Sequence, residues 1–189
     1  MGKVQLGPRT LVYPMPVFLV GAYVDGKPNF MAVAWGGIAN GEPPMVSVAL
    51  RLRRHTYKGI KQNFSFSVNI PSVDLVKEAD YCGLVSGSKA NKVEKCRFDV
   101  FTGSLGTAPL IAQCPVNLEC SVTHILTLGS HALVVGTVEQ THVSQECLSD
   151  GKPDVSKIRP LGYAGAPDQK YQSLQTIADA FSIGKQLGG

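Results

Sequence analysis

The chain has 189 residues, 44% of them apolar and 17% charged, with a formal net charge of +4. That length closes one hydrophobic core and the composition is that of a globular domain, so residues 1–189 are expected to form a single domain. Lys and Arg are scattered without the basic stripe of a nucleic-acid binder, and no run of ~20 apolar residues offers a membrane span, so neither nucleic acid nor membrane is expected as a partner.

Lys3 and Arg9 followed by Leu11 to Ala22 imitate an export signal, but Pro14 and Pro16 interrupt the stretch and it runs into Tyr23-Val24-Asp25-Gly26. Thr10 to Val24 therefore reads as a strand, Asp25-Gly26-Lys27-Pro28 as a turn, and Asn29 to Ala39 as a second strand. Met45 to Leu52, dense in Val, Leu and Ala, is a central strand. His55 to Asn63 reads as a short helix with His55 or Thr56 near its N-cap. Phe64 to Ile70 alternates as a half-buried strand, and Ser72 caps a helix running through Tyr81. Gly83 to Lys95 is a polar loop ending in a turn of helix. Val116 to Val143 holds two long strands split at Leu128-Gly129-Ser130. Leu174, Ile177, Phe181 and Leu187 line one face of a C-terminal helix. Six or more strands and three short helices, mostly in sequential order, predict a mainly β, antiparallel barrel rather than a doubly wound sheet.

Five cysteines (Cys82, Cys96, Cys114, Cys120, Cys147) with no C-x-x-C spacing read as reduced core thiols, which suits the cytoplasm. Gly36-Gly37-Ile38-Ala39-Asn40-Gly41 has the wrong spacing for a dinucleotide fingerprint, and Gly83 to Lys89 fails as a Walker loop. The four histidines are not spaced as metal ligands, and no catalytic acid–base or nucleophile motif stands out.

Three features remain. On a strand, Asn29, Met31, Val33 and Trp35 share one face while Phe30, Ala32 and Ala34 share the other, so small residues let a flat ring approach the backbone. On this segment alone, Trp35 reads as a core tryptophan. Arg51-Leu52-Arg53-Arg54-His55-Thr56 brings basic residues and a hydroxyl to a helix start, where open N–H groups favour anions. It reads either as a phosphate site or as a solvated basic turn with a capping threonine. The loop Ser86 to Lys92 adds hydroxyls and two ammonium groups that could close over such an anion. His131 alone reads as a structural hydrogen-bonder.

In order along the chain, Asn29-x-Met31 to Ala34-Trp35, Pro43-Pro44-Met45-Val46-Ser47-Val48, Arg54-His55-Thr56-Tyr57, Phe66 to Pro71, and Glu78-Ala79-Asp80-Tyr81-Cys82-Gly83 with Ser86-Gly87 and Lys92 resemble the successive blocks of the flavin reductase-like FMN-binding split-barrel family. Within it the chain is similar in particular to flavoredoxin and its relatives. The resemblance implies a split β-barrel with Greek-key connections and peripheral helices, and an FMN-binding homodimer with the flavin near the interface. It implies that Asn29 and Trp35 hydrogen-bond the flavin while the backbone of Met31, Ala32, Val33 and Ala34 lies beside its ring. Ser47, Val48, Ala49, Leu50 and Arg51 would form the neighbouring floor. Arg54, His55 and Thr56 would hold the phosphate, Lys92 would reach it from the loop, and His131 and Ala164 would contact the flavin. Ala32 stands where the family often has threonine, and Val93 where it commonly has phenylalanine. The implied activity is hydride or electron transfer through FMN with NADH or NADPH as donor. The alternative is a carrier that serves a redox protein partner, or a flavin-binding sensor.

Overall fold

The computed structural model describes residues 2–188. Its elements, in chain order, are β1 (Met15–Pro16), β2 (Phe18–Val24), β3 (Lys27–Val33), β4 (Gly36–Asn40), β5 (Met45–Arg51), α1 (His55–Asn63), β6 (Ser65–Ile70), α2 (Val76–Leu84), α3 (Lys92–Lys95), β7 (Val100–Thr102), β8 (Pro109–Ile111), β9 (Val116–Leu128), β10 (His131–Val143), β11 (Leu148–Ser149), β12 (Lys152–Pro153), α4 (Val155–Ile158), β13 (Leu161–Ala164) and β14 (Lys170–Ser173).

Seven strands form one antiparallel sheet in the order β3-β2-β6-β9-β10-β5-β4. Its two ends, β3 and β4, are neighbours in sequence joined only by Ala34-Trp35, so the sheet curls into the expected split barrel. Met31 and Val33 from β3 share one buried cluster with Val48 from β5, Phe66 from β6 and Val134 from β10. That cluster is the barrel interior.

The hairpins follow from local chemistry. Asp25 and Gly26 both take positive φ, 50° and 76°, the two-residue type I′ loop that an Asp-Gly pair favours. Lys27 and Pro28 consequently belong to β3 rather than to the turn. Gly129 (φ 76°) turns β9 into β10.

Several expectations change. The first expected strand breaks: Met15 and Pro16 pair with Tyr163 and Gly162 in a separate sheet, because prolines cannot extend the main ladder. The second breaks at Ala34-Trp35, where the chain passes from one end of the main sheet to the other. Phe64 is the left-handed C-cap of α1, not a strand residue. Ser72 caps a 3₁₀ turn that continues into α2 as far as Leu84. β6 is buried on both faces rather than half-buried. Its polar side is covered by β8: Ser67 donates to the Pro109 carbonyl, and Asn69 accepts from the Ile111 amide at 3.0 Å. No C-terminal helix forms. After β14 the chain is irregular up to a 3₁₀ turn at Ile183–Leu187, and Ile177 (94%), Phe181 (98%) and Leu187 (91%) are exposed. Among the described residues the stripe beyond Leu174 is left almost bare, and a short helix without a packing partner is marginal in water.

Cys82, Cys114, Cys120 and Cys147 are buried free thiols and Cys96 is half-buried. No helix of the described residues is long and apolar enough to cross a membrane.

Candidate functional site

Strand β5 ends at Arg51, and the chain turns tightly, with the Arg54 amide donating to the Arg51 carbonyl at 3.0 Å. Helix α1 then starts with Arg54 as N-cap, not His55 or Thr56, and no side chain caps it. The amides of His55 and Thr56 find no acceptor among the described residues, as the first turn of a helix dictates. Gly59 lets the helix sit on β2, since a Cβ there would collide with the Tyr23 carbonyl.

The Thr56 side chain is buried, and its hydroxyl accepts from the Asn29 amide at 2.6 Å. Asn29 thus ties β3 to α1. Opposite stands the chain from Val85 to Gly87, and a Cβ on Gly87 would strike the Asn29 carbonyl oxygen. Lys92 opens helix α3 rather than riding on a loop, and only 4% of it is exposed. Its ammonium donates to the Phe30 carbonyl at 2.7 Å and the Cys82 carbonyl at 2.9 Å, and no carboxylate among the described residues pairs with it. An ammonium has three donors, so one is left over. Burial pushes the Lys92 ammonium below its ordinary range. Met31, Arg54, Thr56, Ser86 and Lys92 enclose a void of about 10 Å³, which shares His55, Gly87 and Lys92 with a groove of about 720 Å³. The corner therefore concentrates positive charge and open donors around a small space.

A second place lies at the break between β3 and β4. Trp35 is 44% exposed, which overturns its reading as a core residue. The reason is topological: it sits in the crossing between sheet ends, where no strand continues. Its ring stacks on His131, with centroids 4.8 Å apart and planes at 30°. His131 pairs with Arg51 across β10 and β5, and its Nδ1 lies 2.7 Å from the Ser130 hydroxyl. Partial burial first, then the charges of Arg51 and Arg54, hold its imidazole below the ordinary value of 6.5.

Alternation along β5 sends Ser47, Ala49 and Arg51 outward, while Val48 and Leu50 point into the barrel, 0% and 1% exposed. The expected floor is therefore made by Ser47 and Ala49, with Leu133 of β10 beside them, and the side chains of Val48 and Leu50 are excluded from it. Ala34, Trp35, Gly36, Ser47, Ala49 and Leu133 line a cavity of about 460 Å³. Met31 and Val33 are buried barrel residues, as their shared face requires, and Ala32 packs with Phe30 on the outer side. A further cavity of about 530 Å³ includes Arg9, Thr10, Leu11, Met15, Trp35 and Tyr163. Ala164 itself is buried beside it and does not line it; its neighbours Tyr163 and Gly165 do.

The sequence reading missed Arg9, Gly36 and Leu133 as cavity residues, and no local pattern marks them; only the closure of the barrel brings them to Trp35. The thiol beside Lys92 is chemically quiet, since burial pushes Cys82 up to about 12.

Residues 9–171 match the model of the flavin reductase like domain. The flavoredoxin of Methanosarcina acetivorans is 41% identical, with 99% of this chain and 100% of that one covered at a TM-score of 0.93. The flavoredoxin of Desulfovibrio vulgaris (Miyazaki F) is 36% identical, with 97% and 100% covered at a TM-score of 0.90. An uncharacterized protein of Archaeoglobus fulgidus is 34% identical over 146 residues, 77% of this chain and 81% of that protein. A basic helix-start corner and a small-residue floor on a split barrel, matched along nearly the whole chain, place the protein in the flavin reductase-like, flavin-binding family.

Proposed function

We propose that this chain binds FMN, with the phosphate at the start of α1 and the ring on the floor beside Trp35, and acts as an oxidoreductase of the flavin reductase and flavoredoxin type. The observation that carries this reading is Lys92: a buried ammonium with no counter-ion among the described residues, next to Arg54 and two open amides. Burying an unpaired charge is costly, and a phosphate dianion at this corner offsets that cost. Met31 at the corner lies on β3 and Ala34 at the floor directly follows that strand's last residue, Val33, so the two are up to about 10 Å apart along the chain. The strand itself thus spaces a phosphate-binding end from a ring-binding end.

When bound, the flavin supplies hydride or electron transfer at its ring. The protein's residues hold and orient. Arg54, Lys92 and the amides of His55 and Thr56 neutralise the phosphate, and Asn29 fixes the Thr56 hydroxyl so that its own proton points away toward the anion. Ser47 and Ala49 leave room for a flat ring, and Trp35 with His131 walls its edge. His55 and Gly87, which line both the void and the larger groove, would leave the corner open on that side for the phosphate.

The same site serves a reductase fed by NADH or NADPH, or a carrier that passes electrons between proteins; the likeness to two flavoredoxins favours the carrier. We place the protein in the cytoplasm, where its five free thiols stay reduced. We also propose a homodimer that covers the outer faces of β9, β10, β5 and β4, where Trp35, Leu126 (50%) and Leu128 (63%) are bare. The deciding experiment mixes the yellow purified protein with each nicotinamide nucleotide in a stopped-flow instrument. Rapid bleaching supports the reductase, and bleaching only by a reduced protein partner supports the carrier. A colourless protein that gains no visible spectrum with FMN refutes both. Sedimentation of a flavin-loaded monomer refutes the dimer.

A further inference from the structure

We infer that the cavity between the N-terminal segment and β13 is a second ligand site, and that Arg9 anchors there the anionic group of a flat aromatic ligand. The inference rests on the proposed flavin floor only for what the ligand lies next to.

The cavity holds about 530 Å³, within the range of small-molecule sites. Its walls are mostly apolar or aromatic, among them Leu6, Leu11, Met15, Trp35, Tyr163 and Pro167, with Thr10 and Gln169 as the uncharged polar residues. Two aromatic walls suit a planar ring. Arg9 is the one charged residue among the lining side chains. Its Nε donates to the Leu6 carbonyl at 3.3 Å, and the four remaining guanidinium N–H donors have no carboxylate partner among the described residues. A free, planar cation at the rim of an apolar slot selects a ligand with a carboxylate or phosphate.

The position gives the site its meaning. Thr10, Met15 and Trp35 line both this cavity and the one over Ser47 and Ala49. A ring held here abuts the flavin floor. The segment that brings Arg9 joins a sheet where Met15 pairs with Tyr163, and residues 3–14 before it are exposed along their length. The N-terminal segment is thus one wall of the site. A nicotinamide nucleotide and a small aromatic carboxylate share the required chemistry, a flat ring with an anionic group.

Trp35 is the only tryptophan in the chain and touches both cavities, so its fluorescence reports occupancy with or without FMN. The full-length protein is titrated with benzoate, with neutral benzamide and with NADP⁺. Benzoate should quench saturably and benzamide at least about tenfold more weakly. Arg9→Ala should raise the benzoate Kd about tenfold and Arg9→Lys should recover part of the loss, while the FMN Kd stays unchanged. Quenching by NADP⁺ with the same dependence on Arg9 identifies a nucleotide as the ligand; benzoate alone identifies a small acid. Equal affinity for benzoate and benzamide, an Arg9→Ala variant that binds benzoate as the wild type does, or no quenching by any probe overturns the inference. Parallel loss of FMN in Arg9→Ala also overturns it, because it would place Arg9 at the flavin. Failure of the wild type to bind FMN refutes the proposed function and leaves the benzoate titration to decide this site separately.

Discussion

Two stretches of the barrel's outer surface are treated differently by the same chain. Outside β3 and β2, Leu19 and Phe30 are covered by Ala79 and Cys82 of α2, by Phe98 and by Ile111 of β8, forming a second core. Outside β9, β10, β5 and β4, Leu126, Leu128 and Trp35 face solvent. The covered side brings α2 and α3 against β3, and so buries Lys92 next to the start of α1. That corner is built within one chain: its positive charge is fixed in place, with one Lys92 donor and two helix-start amides left open. The bare side has a floor and a wall but no roof. The comparison teaches that the corner should discriminate by charge and the floor by shape, and each can be tested alone.

The largest effect is expected at the corner. Arg54→Ala combined with Thr56→Ala removes a cation and a hydroxyl from the proposed phosphate site. Each lost charge-assisted bond should cost about 1.5–3 kcal/mol of FMN binding. Riboflavin, which lacks the phosphate, should lose almost nothing. Titration of both flavins by visible absorbance measures the difference, and equal losses would break the division between charge and shape.

Gly87→Ala tests how tightly the corner is built. The added methyl meets the Asn29 amide and approaches the His55 ring at 3.0 Å. Overpacking of this kind costs about 1–3 kcal/mol. Chemical denaturation should show a lower midpoint with an unchanged slope, and FMN should weaken along with it as Asn29 is pushed off Thr56. An unchanged midpoint would mean that the 85–91 loop gives way freely and does not close the corner.

How much of this was legible in the chain depends on how local the cause was. The turn at Asp25-Gly26, the alternation from Asn29 to Val33 and the helix His55–Asn63 are set by neighbours in sequence and form where the pattern predicts, though the turn is two residues shorter and the helix is capped by Arg54 instead of His55 or Thr56. The burial of Lys92 was not legible, because it needs α2 and α3 folded onto β3. The exposure of Trp35 was hidden as well: the strand pattern runs through Ala34 without a break, and only the barrel's closure makes that point a crossing. The outward stripe at Leu174, Ile177 and Phe181 looked helical because its spacing is helical, yet spacing without a covering surface does not hold a helix. Ser67 and Asn69 read as solvent-facing until the hairpin of β7 and β8 covers them.

Trp35→Ala sharpens the comparison from the other side. Losing an aromatic wall should cost about 0.5–1.5 kcal/mol. FMN and riboflavin should lose the same amount, since both carry the ring. A loss confined to FMN would put Trp35 at the phosphate and reverse the assignment of the two regions.

The smallest effect, and the one that joins the two regions, is the titration of His131. It stacks on Trp35 at the floor while Arg51 and Arg54 reach it from the corner. Partial burial and then those two charges depress its value below 6.5, so the fold favours the neutral ring. The sign follows: below the depressed value both folded and unfolded chains are protonated and the fold bears the whole penalty, while above 6.5 neither is and the penalty is gone. Through the window that ends at 6.5, this contribution therefore makes the protein more stable as pH rises. Proton NMR should place the His131 midpoint under the ordinary value, and Trp35 fluorescence should change with the same midpoint because the rings touch. Arg51→Gln should move both midpoints upward together. A His131 midpoint at or above 6.5, or a Trp35 signal that ignores it, would show that the charge of the corner does not extend to the floor.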